Sequence, residues 1–135
     1  MKQHEMILRV YYADTDAIGI VYHANYLRFL EAARTEYLRA MDIQLPTLLS
    51  EYGVQFAVVH IDINYHKAAR LDDELLIVST VSHIGRASVN YGQEIYRLKT
   101  EELLCTAKIK LAVVDQQMRP CAVPEILRRG ILHDH

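Results

Sequence analysis

The sequence predicts an α+β fold in which an antiparallel sheet of about five strands curls around one long helix. Apolar residues recur at helical spacing over residues 23–41, and strand-like alternation fills one segment before this helix and four segments after it. The connections between the later strands are shorter than a parallel crossover needs, so consecutive strands should be antiparallel neighbours in the sheet. A sheet of this kind leaves an edge and part of an apolar face open, which predicts self-association.

The first part of the chain predicts a strand, a loop and the long helix, in that order. Residues 5–12 are expected to form the strand, with one face made of Met6, Leu8, Val10 and Tyr12. A loop containing Gly19 follows over residues 14–22, and Asn25 is a natural N-cap for the helix. The apolar stripe of the helix consists of Tyr26, Leu30, Ala33, Tyr37 and Met41. Further apolar residues beside this stripe predict that the helix is mostly buried and that it ends near Asp42.

Four more strands are expected in the remainder of the chain. They should occupy residues 54–65, 74–82, 87–98 and 103–114, and the last of them alternates most clearly. Gly85 marks the turn between the middle two strands. Short helical segments are expected at residues 46–49 and 124–129, each beginning at a proline. No linker or repeat divides the chain, so residues 1–135 are interpreted as one domain.

Composition argues against several classes of function. The net charge is −2, from 15 basic and 17 acidic residues, so the chain lacks the basic field of a nucleic-acid-binding protein. No apolar run approaches the roughly 20 residues of a membrane span, and the first ten residues lack the apolar stretch of a signal peptide. Cys105 and Cys121 are the only cysteines and fit no metal-ligand spacing. We therefore expect a soluble, cytoplasmic protein without metal or cofactor.

The densest group of polar residues lies where the loop meets the start of the long helix. The unpaired N–H groups and partial positive charge of a helix start can stabilise the oxyanion of an acyl-transfer intermediate. A nearby carboxylate can attack the acyl carbon or deprotonate a water. Plainer roles stay open, because Asp14 and Asp16 can be turn residues and His23 can be a polar first-turn residue. The spacing of these three residues matches no common metal site.

The stretch from Tyr12 to Tyr26 reads Tyr-x-Asp-Thr-Asp-Ala-x-Gly-x-Val-Tyr-His-Ala-Asn-Tyr. It resembles the signature of the 4-hydroxybenzoyl-CoA thioesterase family, and within that family the YbgC-type acyl-CoA thioesterases. The following helix, with Glu31 and Arg34, and the segment of residues 65–74 are also similar to the family. The resemblance implies the hotdog fold, a curved antiparallel sheet wrapped around a long helix. It further implies a homodimer with one continuous sheet, or a homotetramer of stacked dimers.

The same resemblance implies roles for individual residues of the motif. Asp16 matches the catalytic carboxylate, for which relatives are divided between a nucleophilic and a general-base role. His23 lies where the family has the backbone N–H that binds the thioester oxygen, and its imidazole would orient the water or the carboxylate. Gly19 matches the turn glycine, and we expect it to contact the substrate together with Tyr22.

Recognition of the nucleotide rests on fewer residues than in relatives. The 4-hydroxybenzoyl branch binds the CoA phosphates with a basic stretch before a serine, and here that stretch is Gly85-Arg86-Ala87-Ser88. Arg86 is therefore a candidate phosphate contact, and Lys67 is a weaker one, with ordinary surface charge as the alternative for both. Because this stretch has one basic residue where relatives have several, an acyl carrier protein is an alternative thioester donor to acyl-CoA.

The predicted function is hydrolysis of a short-chain or aromatic acyl-CoA to the free acid and CoA. Two alternatives stay open. A hydroxyacyl-thioester dehydratase has the same fold but needs a catalytic histidine paired with an acid elsewhere in the helix region. A non-catalytic acyl-thioester-binding protein would bind such ligands without turnover.

Overall fold

One antiparallel sheet packed against one long helix makes up most of the structure, a computed structural model that describes residues 2–133. The strands are β1 (Gln3–Arg9), β2 (Gln55–Tyr65), β3 (Glu74–Ile84), β4 (Ser88–Arg97) and β5 (Leu103–Val114). The helices are α1 (Asn25–Arg39), α2 (Leu45–Tyr52) and α3 (Glu125–Leu132), and a short 3-10 turn spans Tyr12–Asp14. The number of strands, their antiparallel pairing and the single long helix confirm the predicted α+β class.

The strand order across the sheet is β1-β3-β4-β5-β2. Short connections led us to expect that β2 and β3 are neighbours, and that expectation is wrong for this pair. The connection of residues 66–73 instead leads from the β2 edge toward the other side of the sheet. Arg97 stabilises it, because its guanidinium donates to the carbonyl of Ala68 at 2.8 Å and pairs with Asp73 at 3.0 Å and Glu102 at 2.6 Å. The strands β1 and β2 are left as the two edges.

The long helix α1 buries one side and exposes the other. Its buried residues are Tyr26, Phe29, Leu30, Ala33, Tyr37 and Leu38. The expectation of a mostly buried helix was too strong, since Leu27 is 38% exposed and Arg28, Glu31 and Arg39 are also exposed. Asn25 is the first helical residue and not the N-cap, which is Ala24 with no side-chain cap hydrogen bond. The side chain of Asn25 donates to Asp14 instead.

The first strand is shifted toward the N-terminus relative to the prediction for residues 5–12. Met6, Leu8 and Val10 do face the core side, but the chain leaves the strand after Arg9. Tyr12, which continues the alternation in the sequence, lies in the 3-10 turn and is 80% exposed. The chain turns there because the Asp14 carboxylate accepts a hydrogen bond from the backbone N–H of Tyr11 at 2.9 Å.

The core between α1 and the sheet is mostly apolar and contains a buried polar pair. It is built from inward-facing residues of the strands together with the buried face of α1. Ser79 on β3 and Gln93 on β4 are almost fully buried in this core. Gln93 Nε2 donates to Ser79 Oγ at 2.9 Å and to the Leu30 carbonyl of α1 at 3.0 Å, so these polar groups have partners. Cys105 is fully buried, and burial raises the pKa of its thiol to about 11.

Candidate active site

A tight hairpin over residues 14–22 precedes α1. Thr15 and Val21 form an antiparallel bridge, the Asp16 N–H donates to the Ile20 carbonyl at 2.9 Å, and the Tyr22 N–H donates to the Asp14 carbonyl at 3.0 Å. Gly19 has a φ of 81°, a conformation that glycine adopts without steric cost, and its N–H donates to the Asp16 carbonyl. The hairpin therefore presents Asp16 at one end of its turn and leads the chain directly into the helix.

The two aspartates of this hairpin have opposite environments. Asp14 is buried, and its Oδ1 accepts hydrogen bonds from the Asn25 amide at 2.7 Å and from the Arg28 guanidinium. With the Tyr11 bond at Oδ2, both carboxylate oxygens are used for holding the loop against α1. The turn and capping role that the sequence left open for Asp14 is thus the one that the structure shows.

Asp16, in contrast, is exposed on the single chain. One carboxylate oxygen accepts a hydrogen bond from the Ile18 N–H at 2.9 Å, a local bond that fixes the side chain beside the turn. The second oxygen has no partner among residues 2–133, and Asp16 lines none of the larger cavities of this chain. The carboxylate is therefore accessible to a ligand that approaches from outside this chain.

The start of α1 offers unpaired backbone donors. The N–H groups of His23 and Ala24 make no hydrogen bond within the described part of the chain, whereas the N–H of Asn25 donates to the Tyr22 carbonyl at 2.8 Å. Such N–H groups at a helix start carry partial positive charge. Asp16 lies opposite Ile20 in the hairpin, and His23 follows Ile20 by three positions. Three residues of extended chain span about 10 Å, which is the approximate separation of Asp16 and His23. A thioester group can lie between them.

Aromatic residues fix the orientation of the His23 peptide and imidazole. The Tyr65 hydroxyl donates to the His23 carbonyl at 3.1 Å, so the end of β2 is joined to the helix start. The His23 ring lies 4.6 Å from the Tyr22 ring and 6.4 Å from the Tyr65 ring, centroid to centroid. Both Tyr22 and His23 are exposed, as a substrate contact requires.

The connection of residues 66–73 supports the hairpin from behind. The Ala69 N–H donates to the Tyr26 hydroxyl at 2.9 Å, and the Ala69 carbonyl accepts from the Val21 N–H at 2.8 Å. The Leu71 N–H donates to the Gly19 carbonyl at 3.2 Å. Sequence reasoning gave Tyr26 and Tyr65 no role here, although a buried tyrosine in an apolar stripe is itself a signal that its hydroxyl has a partner.

The two candidate phosphate contacts are not equivalent. Lys67 lies in the supporting connection, and its ammonium pairs with Glu102 at 2.7 Å, so a phosphate would have to compete with that carboxylate. Arg86 is exposed and has no ion pair within residues 2–133. It follows β3 at the end remote from the hairpin, and the 11 residues of that strand span roughly 33 Å. One chain therefore does not bring Arg86 and Asp16 together.

A groove runs along the exposed side of α1, between the helix and the edge strand β2. It consists of two adjoining cavities of about 360 and about 630 Å³ that share Glu31, Arg34 and Val58. The smaller cavity begins at Leu27, in the first turn of the helix, and the larger one ends against α2. We call this feature the α1 groove. Most of its other lining residues are apolar, as in sites that bind acyl groups.

The described residues contain neither a group of three or more metal-binding side chains nor a helix long and apolar enough to cross a membrane. With these findings, the reactive features of the structure are a carboxylate, two free backbone N–H groups and an adjacent apolar groove.

The sequence is similar to those of known acyl-CoA thioesterases. The family model described as the thioesterase superfamily matches residues 18–104, which include Gly19, Tyr22 and His23. An acyl-CoA thioesterase YbgC from Haemophilus influenzae is 42% identical over 127 residues, covering 93% of this chain and 92% of the relative. An acyl-CoA thioester hydrolase YbgC from Escherichia coli is 40% identical over 119 residues and covers 87% of each chain.

Solved structures agree with the fold. A probable thioesterase from Bartonella henselae has a TM-score of 0.86 and 36% identity, covering 91% of this chain and 100% of its own. A variant of a 4-hydroxybenzoyl-CoA thioesterase, complexed with 4-hydroxybenzoyl-CoA, has a TM-score of 0.90 over 97% of this chain and 99% of its own. At 21% identity this second likeness concerns the hotdog fold alone. None of these proteins is described as a dehydratase, so that alternative is not favoured.

Proposed function

The chain belongs to the thioesterase superfamily and is an acyl-CoA thioester hydrolase, and we propose that Asp16 and the start of α1 carry out its chemistry. In this proposal the thioester oxygen binds to the N–H groups of His23 and Ala24. The Asp16 carboxylate then either deprotonates a water that attacks the acyl carbon or attacks that carbon itself. Collapse of the tetrahedral intermediate expels the CoA thiolate and leaves, directly or after hydrolysis of an acyl-aspartate, the free acid.

The unpaired N–H groups of His23 and Ala24 are the observation that carries this proposal. Negative charge develops on the thioester oxygen during attack, and fixed N–H donors stabilise that charge without reorganising. Tyr65 supports the arrangement by binding the His23 carbonyl, which limits rotation of the adjoining backbone. The Ile18 N–H plays the same part for Asp16, because it binds one carboxylate oxygen and leaves the other available.

The test is the variant Asp16→Asn, assayed by release of free CoA thiol from hexanoyl-CoA and benzoyl-CoA. We expect kcat to fall by about 10²–10⁴-fold, the usual contribution of a positioned acid–base group, with the melting temperature unchanged because the side chain is exposed. Asp62→Asn, a change at an exposed residue of β2, is the matched control. Near-normal turnover by Asp16→Asn would refute the assignment, whereas tight binding without turnover by the native protein would favour the non-catalytic alternative.

We further propose that Arg86 binds the nucleotide phosphates from a second copy of the chain. The separation of about 33 Å along β3 supports this proposal, because one acyl-CoA would have to span that whole length to contact Asp16 and Arg86 of the same chain. Arg86→Gln should then raise KM for acyl-CoA and leave KM for an acyl-pantetheine, which lacks the nucleotide, unchanged. An equal effect on both substrates would contradict phosphate binding.

The remaining features of the proposal concern substrate and assembly. We propose a short-chain or aromatic acyl group, a cytoplasmic location, one catalytic domain over the whole chain, and a homodimer or homotetramer. The exposed edge of β2 supports self-association, because Val58 and Val59 are 51% and 54% exposed there. Light scattering at micromolar concentration tests assembly, and a stable monomer would contradict it.

A further inference from the structure

A partly buried cationic side chain lies in the wall of the mostly apolar α1 groove. Arg34 lines both of its cavities, as does Val58 of β2. The smaller cavity is also lined by Ile61, Ile109 and Arg28, whose guanidinium is paired with Asp14. Arg34 is only partly exposed, and burial lowers the pKa of its guanidinium below the ordinary value. A guanidinium stays protonated nonetheless, so the groove contains a partly desolvated positive charge.

Among residues 2–133, no carboxylate forms an ion pair with this guanidinium. The one side-chain acceptor that Arg34 has there is Gln93 Oε1, at 3.0 Å from Nη1. Most of its five N–H donors are therefore left for a ligand or for solvent. Removing a charged group from water without an ionic partner is costly, and structures usually retain such a group where a ligand or another chain supplies the missing charge.

The Arg34 side chain is also held in place from the core. Gln93 is 1% exposed, and its amide is already bound to Ser79 and to the Leu30 carbonyl, so its Oε1 has a fixed position. A guanidinium anchored at one N–H keeps its remaining donors in a defined plane. That plane suits an oxygen pair such as a carboxylate, which accepts two parallel hydrogen bonds.

The distance from the helix start to Arg34 matches a short acyl group. Arg34 lies eleven positions after His23, which is about 16 Å of helical rise. Long side chains on a helix lean back toward its N-terminus, which shortens the gap to the guanidinium to about 10 Å. An extended chain at about 1.2 Å per bond covers that gap in roughly eight bonds. The smaller cavity lies along this path, between Leu27 and Arg34.

From this geometry we infer that Arg34 determines specificity by binding a carboxylate at the far end of the acyl group. The substrate class would be the CoA half-thioesters of dicarboxylic acids with about six to eight carbons. This inference rests on the proposed function, because it assumes that the thioester binds at the start of α1. The methylene chain would lie along the apolar wall of the groove, with its second carboxylate at the guanidinium.

Glu31 provides a second test of this inference, because it is an acidic residue that also lines both cavities. Its carboxylate does not form an ion pair with Arg34, yet its negative charge acts on Arg34 and would repel a carboxylate tail. Removing that charge should therefore improve binding of the proposed substrates. Removing the Arg34 charge should do the opposite.

The test compares substrates of equal length, adipyl-CoA with hexanoyl-CoA and suberyl-CoA with octanoyl-CoA, by thiol release. The quantity measured is the ratio of kcat/KM for the carboxylate-ended substrate to that for the methyl-ended one. Arg34→Met should lower this ratio about 10–100-fold, which corresponds to the loss of a hydrogen bond to a charged group. Arg34→Lys should retain part of the ratio, and Glu31→Gln should raise it. Arg39→Met, which removes an exposed arginine at the end of the same helix, should leave it unchanged.

The outcomes separate this inference from the function on which it rests. If the native protein hydrolyses hexanoyl-CoA and the ratio of kcat/KM values is the same in the native protein and in Arg34→Met, the inference is wrong and the proposed function stands. Equal losses for both substrates in Arg34→Met, or a smaller oligomer by light scattering at an unchanged ratio, would assign Arg34 to folding or to the contact between copies. If no acyl-CoA is hydrolysed at all, both proposals fail.

Discussion

Replacing Asp14 with asparagine should destabilise the protein, in contrast to the same change at Asp16. The Asp14 side chain is only 8% exposed and accepts hydrogen bonds from the Tyr11 N–H, the Asn25 amide and the Arg28 guanidinium. All three partners are donors, and an asparagine side chain has one acceptor oxygen and one donor NH₂ group. In either orientation of the amide, at least one of the three donors faces this NH₂ group and loses its acceptor.

The magnitude follows from these contacts. The loss of a hydrogen bond to a charged acceptor costs about 1.5–3 kcal/mol. The ion pair itself adds little, because Arg28 is 58% exposed and solvent screens it. We expect a loss of about 2–3 kcal/mol in the free energy of unfolding. With an unfolding entropy of about 2.1 cal/mol/K per residue over 135 residues, the melting temperature should fall by about 7–11 °C.

The assay is thermal unfolding followed by circular dichroism, with the native protein, Asp14→Asn and Asp16→Asn at the same protein concentration, since assembly shifts the midpoint. Asp14→Asn should melt early and keep a measurable kcat below its midpoint. Asp16→Asn should melt with the native protein and lack activity. If Asp14→Asn melted within about 2 °C of the native protein, the reasoning that Asp14 anchors the hairpin to α1 would be refuted.

Three further changes test other contacts. Tyr26→Phe should cost about 1–3 kcal/mol in chemical denaturation, because the buried Ala69 N–H loses its acceptor. Hydrogen bonds from Lys67 and other donors lower the pKa of Glu102 to about 2 from the usual 4.5. The stability that Glu102 contributes is therefore present above pH 4.5 and is lost as the pH falls toward 2. Glu102→Gln should reduce the melting temperature at neutral pH and leave it unchanged near pH 2, which thermal unfolding at a series of pH values measures. Gly19→Ala should cost about 1 kcal/mol, because alanine is strained at a φ of 81° while no atom crowds its Cβ, and a urea titration measures this loss.

Matched controls exist for two of these changes. Gly92 lies in β4 with open space where a Cβ would lie and no left-handed φ, so Gly92→Ala should be neutral or stabilising. Asp115 also has a lowered pKa, from bonds with the Arg119 and Gln117 N–H groups, but it is remote from Glu102 in the β5–α3 connection. If Asp115→Asn abolished the same pH dependence as Glu102→Gln, the effect would reflect net charge and not the Lys67 pair.

The elements with long, regular patterns could be predicted from the sequence. Residues 103–114 were predicted as a strand, and β5 has those bounds, because alternation over twelve residues leaves little ambiguity. The end of β1 could not be predicted, since Tyr12 continues the alternation while a carboxylate two residues later turns the chain. Strand order could not be predicted either, because nothing local distinguishes a hairpin from the connection that separates β2 and β3.

The candidate site shows the same division. The motif from Tyr12 to Tyr26 could be recognised as a unit, yet the sequence could not tell which of its polar residues are structural. Asn25 suits an N-cap by its type, but its amide is engaged by the buried Asp14 and so lies inside the first turn. Arg34 belongs to the helix pattern in the sequence, and only packing reveals that it lines a groove and forms no ion pair within residues 2–133.

The separation of β2 from its partner along the chain has a consequence for biosynthesis. β2 ends at Tyr65, and β5, the one strand that pairs with it, begins at Leu103, roughly 40 residues later. At a ribosomal rate of about 5–20 residues per second, β5 is synthesised about 2–8 s after the apolar segment around Val58 and Val59. During that interval the nascent chains on one messenger RNA expose the same unpaired apolar strand, which can associate between chains. Translation speed and chaperone supply should therefore affect the yield of native protein.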